Sequence, residues 1–227
     1  MIRHLYRRHF ILSAFTAAAA GLCGAPAAWA QPAAAKGAAA ARTPLILVLG
    51  DSLSAEYGIA RGTGWVALLE QQLAREKLSA RVVNASVSGE TTSGGRSRLP
   101  ALLAEHKPSH VVIELGGNDA LRGLPLKSVE DNLTAMTEAA QKAGAKVLLV
   151  GMQVPPNYGT DYARRFAGLF TQVAEARKAA VVPFFLKDVA DGPDPTRMFQ
   201  PDRIHPRAEA HPQMLANVWP ELKKLLR

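Results

Sequence analysis

The chain contains a single cysteine, Cys23, among its 227 residues. That residue lies in an amino-terminal leader, so the mature chain is expected to have no disulfide, no thiol nucleophile and no thiolate metal ligand. Aromatic residues are scarce, at 6% of the chain, and no run of Lys or Arg follows residue 30. Without a basic stretch interleaved with aromatics, nucleic acid is not an expected partner, and the excess positive charge reads as general surface charge. No His, Cys, Asp or Glu spacing suits a metal site, so neither a metal nor a cofactor is expected. No internal repeat is visible.

Residues 1–30 have the layout of a secretory signal peptide. Arg3, Arg7 and Arg8 form a basic n-region, Phe10 to Leu22 an apolar h-region, and Ala28-Trp29-Ala30 an A-x-A cleavage site. The apolar part is too short and wrongly flanked for a stable membrane span. Arg7-Arg8-His9-Phe10-Ile11-Leu12 also resembles a twin-arginine signal, with Tyr6 where Ser or Thr is usual. Cys23 invites a lipoprotein reading, although no Leu stands three residues before it. The expected localisation is therefore periplasmic or secreted, by either route. Cleavage lowers the formal charge from +8 to +5, since the leader carries three arginines and no acids. Residues 31–42 are almost all alanine and read as a linker. Residues 43–227 have the size of one domain with an adequate core.

Within that domain, strand-like and helix-like segments alternate. Apolar, β-rich runs at Leu45–Leu49, Arg81–Val87, His110–Leu115, Lys146–Val150 and Ala180–Phe185 predict five strands. Helical spacing is clear over Thr63–Lys77, Ser97–His106, a segment opened by a capping box at Ser128–Asp131, and Asp161–Ala179. A last helix from Pro212 contains Pro220, which should kink or split it. Ser88 to Gly95 reads as a polar, flexible loop. The βαβα order predicts a three-layer α/β/α fold, a flavodoxin-like doubly wound parallel sheet.

In such sheets ligands bind beyond the carboxyl ends of the strands. Ser52 follows the first strand, Ser88-Gly89 the second and Gly117-Asn118 the third. Each cluster alone is ordinary turn chemistry, and Ser52 alone could be a helix cap, but their shared phase brings them to one end of the sheet. Near the carboxyl terminus, Asp202-Arg203-Ile204-His205-Pro206 reads as a turn, because Pro206 disfavours helix at His205. An acid three residues before a histidine can reach its Nδ1 and leave Nε2 for a nucleophile, as in a Ser-His-Asp triad. His106, His110 and His211 lack that setting and read as structural. Leu121, Leu124, Met152, Val154, Pro155 and Tyr158 lie between Gly and Pro residues near the site ends. They could line an acyl pocket or simply pack loops down.

In order, Gly50-Asp51-Ser52-Leu53, Gly89 after Asn84-Ala85-Ser86, Gly117-Asn118-Asp119 and Asp202-x-x-His205 resemble the four blocks of the SGNH (GDSL) hydrolases. Val83 to Ser86, Arg98 to Leu103, Glu114 to Asp119, Leu121 to Gly123 and Pro156 to Gly159 look like its thioesterase I / lysophospholipase L1 / arylesterase branch. The resemblance implies a serine esterase with Ser52 as nucleophile, His205 as base and Asp202 as orienting acid. It further implies an oxyanion hole formed by the N–H groups of Ser52 and Gly89 and the Asn118 side chain. Leu121, Leu124, Val154, Pro155 and Tyr158 would bind substrate, a small-molecule or lipid ester, and the protein would act as a monomer. Asp51 reads as a brace for its turn. Glu56 and Ala120 depart from the branch, where glycine is expected. Alternative readings are a carbohydrate O-acetylesterase on the same fold and a non-catalytic flavodoxin-like phosphate binder.

Overall fold

In the computed structural model, which describes residues 43–227, five strands form one parallel sheet in the order β2-β1-β3-β4-β5. They are β1 (Leu45–Gly50), β2 (Arg81–Asn84), β3 (His110–Glu114), β4 (Lys146–Val150) and β5 (Ala180–Val182). The signal peptide, the linker and Cys23 lie outside the described residues. Ile46 to Leu49 and Val111 to Ile113 are wholly buried, as a strand covered on both faces must be. Each such side chain contributes about 1.5–3 kcal/mol relative to exposure.

The helices are α1 (Trp65–Arg75), α2 (Thr92–His106), α3 (Gly117–Leu121), α4 (Leu126–Lys142), α5 (Thr160–Arg177) and α6 (His211–Leu225). On one face α1 packs with α6, and on the other α4 packs between α2 and α5. The three-layer doubly wound architecture is thus the one expected. Gly50 pairs with Glu114 and Val48 with Asn84, so β1, β3 and β2 end at nearly one level. The segments that follow them share one rim of the sheet.

Several local expectations are corrected. The loop after β2 is shorter than predicted, because α2 begins at Thr92, with Thr91 Oγ1 accepting from the Gly94 N–H. Gly95 lies inside that helix for packing: a Cβ there would come within 2.4 Å of Leu115 Cδ1. Ser128 does not cap α4, which starts two residues earlier after Pro125, whose carbonyl accepts from Ser128 and Val129. Asp131 instead pairs with Lys127 on the helix surface. β2 is regular only to Asn84, although Ala85 and Val87 still donate to Val48 and Gly50 of β1. β5 stops at Val182, because Pro183 has no N–H to offer. Pro220 does not split α6, which runs continuously from His211 to Leu225. Pro220 and Ala216 one turn before it are exposed, so water is available to the carbonyl left without a partner. Met214, Leu215, Val218 and Leu222 hold the opposite face in the core.

Candidate active site

β1 ends in Gly50, and the chain turns at once through Asp51 and Ser52. The turn is not a regular helix; Ser54 and Ala55 both donate to the Asp51 carbonyl. Ser52 is 7% exposed at the sheet rim. Its Oγ lies 3.0 Å from His205 Nε2, and His205 Nδ1 lies 2.6 Å from Asp202 Oδ2. Ser52 is thereby joined across 153 positions of the chain to His205, and through it to Asp202, in one hydrogen-bonded line.

The histidine sits on a turn that the local sequence builds. Arg203 takes a left-handed φ of 59°, which curls the chain so that Asp202 Oδ1 accepts from the N–H groups of Ile204 (2.9 Å) and His205 (3.0 Å). Gln200 closes the loop, donating its N–H to the His205 carbonyl at 2.8 Å. The Tyr57 ring lies on the imidazole with centroids 4.3 Å apart. Desolvation works to raise the Asp202 carboxyl, but the bonds from His205 and the Ile204 and His205 N–H groups outweigh it and bring it down to about 2. Asp202 is thus an anion facing the ring throughout the neutral range.

Beneath Ser52 the structure is buried and densely braced. Asp51 Oδ1 accepts from the Leu53 N–H (3.0 Å) and Oδ2 from Asn118 Nδ2 (3.0 Å), the bracing role expected of it. The Asn118 amide is thereby oriented, with one N–H engaged and the second left for another acceptor. Glu114, at the end of β3, accepts from Ser54 Oγ at 2.7 Å, and Ser54 Oγ accepts from Trp65 Nε1 at 3.0 Å. Burial, and then the neighbouring Asp51 charge, push the Glu114 carboxyl well above the usual range and so favour its neutral form. Burial also raises Asp51, to about 6, against the pull of the Leu53 N–H and Asn118. Gly89, at φ 78°, lies in the turn that Glu90 closes by donating to the Val87 carbonyl. Asn118 and Gly89 are connected through their neighbours: Asp119 accepts from the Thr92 N–H (2.8 Å) and Oγ1 (2.6 Å) at the start of α2.

Of the candidate pocket residues, the structure brings Leu121 and Tyr158 together. They line a groove of about 320 Å³ with Ala120, Gly123 and Tyr162. Leu124, Val154 and Pro155 do not line it. Val154 is half-buried against the core, and the exposed Pro155 offers its carbonyl to the Tyr158 N–H. Met152 is a core residue. A larger hollow of about 450 Å³, bounded by Thr43, Leu78 and Arg81, opens at the amino ends of β1 and β2, away from Ser52.

Sequence reasoning missed Glu114, Tyr57, Arg122 and Tyr162. Glu114 had a signal, a carboxylate ending the otherwise apolar run His110 to Ile113. Tyr162 had none, since an aromatic at helical spacing reads as core. It stacks between Tyr158 and Phe166. The departure at Glu56 has a structural reading. Its backbone is left-handed, φ 60°, where glycine would be unstrained, and its carboxylate accepts from the N–H groups of Gly62 (2.9 and 3.1 Å) and Gly64 (2.8 Å). The strained backbone is accompanied by a side-chain tie across the 56–64 loop. His211 and His110 are structural, as expected: His211 Nδ1 accepts from the Trp65 N–H at 3.0 Å, and His110 Nε2 bonds the Leu225 carbonyl.

Residues 48–212 match the family model for the GDSL-like Lipase/Acylhydrolase family. The chain is 53% identical over 188 residues to a Pseudomonas aeruginosa protein named Esterase TesA, covering 83% of this chain and 91% of that protein. It is 41% identical over 173 residues to the Escherichia coli protein named Thioesterase 1/protease 1/lysophospholipase L1, covering 76% and 80%. Among solved structures, a psychrotrophic esterase EstA from Pseudoalteromonas sp., inhibited by monoethylphosphonate, superposes with a TM-score of 0.74 at 42% identity. That match covers 80% of this chain and 98% of the other.

Proposed function

The chain belongs to the GDSL-like lipase/acylhydrolase family and is a hydrolase of esters and thioesters, and from that premise we propose that it works as a serine esterase through an acyl-enzyme on Ser52. The observation that carries the reading is the line from Asp202 through His205 to Ser52, with bonds of 2.6 and 3.0 Å. His205 Nε2 takes the Ser52 proton as Oγ attacks the carbonyl carbon, and Asp202 holds the resulting imidazolium. The oxyanion is met by the N–H groups of Ser52 and Gly89 and by the free N–H of the Asn118 amide. Collapse expels the alcohol or thiol, which receives the proton from His205. Water then attacks the acyl-enzyme by the same route in reverse.

The groove of Leu121, Tyr158 and Tyr162 is the proposed acyl site, and its apolar lining favours an aliphatic or aromatic acyl group. Among the described residues no helix is long and apolar enough to cross a membrane. The leader pattern of residues 1–30 supports the reading that the enzyme is exported to the periplasm or medium. Labelling with a fluorophosphonate tests the mechanism: the intact protein should take up one label, on Ser52, and lose activity. Labelling that persists in Ser52→Ala would overturn the assignment of the nucleophile.

A further inference from the structure

One short helix supplies more of this site than Asn118. Along α3 and its carboxyl end, Asn118 bonds Asp51, Asp119 holds the start of α2, and Arg122 reaches back across the site rim. Its Nη2 donates to the Gly89 carbonyl at 2.9 Å. That carbonyl belongs to the turn Val87–Glu90, in which Gly89 is the third residue.

Gly89 has φ 78°, a backbone that glycine adopts at little cost, and its N–H and carbonyl belong to successive peptides of the turn. The Arg122 bond falls on the Gly89–Glu90 peptide, next to the one that carries the Gly89 N–H. It therefore ties the turn to the carboxyl end of α3 and fixes how the Gly89 backbone stands relative to Asn118. On its other side the turn is tied by Arg98, which bonds Glu90 Oε2 at 2.6 Å and the Ala85 carbonyl at 3.0 Å.

We propose that Arg122 is a positioning residue, clamping the Gly89 carbonyl to the end of α3 so that the turn carrying the Gly89 N–H stays in register with Asn118 on the same helix. The inference rests on reading Gly89 as an oxyanion donor. Arg122 is exposed, so its removal leaves no buried group unsatisfied and need not disturb the fold. Its guanidinium acts through the backbone and does not touch the acyl group.

The test is steady-state kinetics on a neutral short-chain ester, p-nitrophenyl acetate, with melting temperature measured alongside. Arg122→Ala should lower kcat about tenfold, less than the ~10²–10³ expected from losing a donor outright, with KM within a few-fold and an unchanged melting temperature. Arg122→Lys and Arg122→Gln, which keep a donor, should each recover part of that loss. Three results would overturn the clamp. One is a normal kcat in Arg122→Ala while Asn118→Ala is slow, which leaves the oxyanion reading standing. The second is a loss confined to KM for anionic acyl-CoA and relieved by salt, which would make Arg122 a substrate anchor. The third is a normal kcat in both Arg122→Ala and Asn118→Ala, which removes the oxyanion reading and the clamp with it.

Discussion

The two sides of the site are built in opposite ways. The nucleophile side is buried: Asp51, Ser52, Ser54 and Glu114 are all nearly inaccessible, and Asp51, Ser54 and Glu114 bond one another or the adjoining backbone. The base side is an exposed turn, with Asp202 open to solvent and His205 half-buried under Tyr57. Groups that stabilise charge must not reorganise when charge appears, so they are fixed by burial. A group that exchanges protons with substrate and water works from a site that water can reach.

The largest expected effect strikes both sides alike. Ser52→Ala and His205→Ala should each lower kcat on the order of 10⁴–10⁶, and the double variant little more, because the pair acts as a unit. The comparison appears in stability: His205→Ala, on the exposed side, should melt as the parent does. A marked fall in its melting temperature would show that the turn is structural.

Next comes Asn118, on the buried side. Asn118→Ala should lower kcat about 10²–10³ with KM within a few-fold, since its N–H matters chiefly once charge develops. Asn118→Asp should be at least as slow, because it sets a carboxylate against both the oxyanion and Asp51. A normally fast Asn118→Asp enzyme would remove Asn118 from the oxyanion hole.

Glu114 separates the two sides most cleanly. Glu114→Ala leaves the Ser54 hydroxyl without its acceptor, at about 1–3 kcal/mol for the unsatisfied group, on top of a cavity. Glu114→Gln should be far milder, because the amide fills the same space and keeps an oxygen that can accept from Ser54 Oγ. Equal melting temperatures for the two variants would mean that Glu114 is not the brace described.

His211 gives a smaller effect that depends on pH. Burial lowers its pKa from 6.5 to about 4, against the pull of Glu56, so on acidification the unfolded chain binds this proton first. The stabilisation is complete above pH 6.5 and lost as pH falls through 4, amounting to at most about 3 kcal/mol. Asp51 has the reverse sign: raised to about 6, it is protonated first in the folded chain and favours folding as pH falls from 6 towards 3.8. The measurable quantity is therefore a difference between variants. His211→Gln should lose less stability than the parent between pH 7.5 and 4.5 in denaturant titrations. Parallel slopes would place the titrating group elsewhere.

The smallest effect concerns specificity. Leu121 is 47% exposed in the groove, so Leu121→Ser should weaken long acyl chains relative to acetyl by about 1 kcal/mol, roughly fivefold. Leu124→Ser should leave chain-length preference unchanged. The reverse result would relocate the acyl wall to Leu124.

What could be read from the sequence follows the same division. Asp202-x-x-His205 was legible because a three-residue reach across a turn is local geometry. The strands were legible because burial on both faces leaves continuous apolar runs. The long-range braces were not. Glu114 meets Ser54 across 60 residues, and nothing near either one marks the contact. Helix starts were missed where the local signal was easy to misread, as at α2, where the Thr91 cap is followed by two glycines, and at α4, which begins after Pro125 and not at Ser128. Pro220 misled because the penalty for proline is severe in a buried helix interior and lighter on a wet face.

The loop that carries His205 has a consequence for the behaviour of the enzyme on heating. It is closed mainly by its own bonds: the antiparallel bridge between Phe199 and Pro206, the backbone bonds Gln200 to His205 and Arg203 to Gln200, the Asp202 carboxylate on the Ile204 and His205 N–H groups, Arg207 on the Phe199 carbonyl, and the Gln200 side chain reaching Tyr57 and Pro206. Ser52 is fixed in the buried turn that directly follows β1 of the sheet. Exposed segments held mainly by local bonds open at lower free energy than the core, and residues 201–204 of this loop are exposed. As temperature rises, His205 should leave Ser52 while the sheet is intact. Turnover should therefore decline below the melting transition and return fully on cooling, with fluorophosphonate uptake at Ser52 declining in step. The working temperature of this enzyme should then be set by the eight-residue loop Phe199–Pro206, and its survival temperature by the sheet.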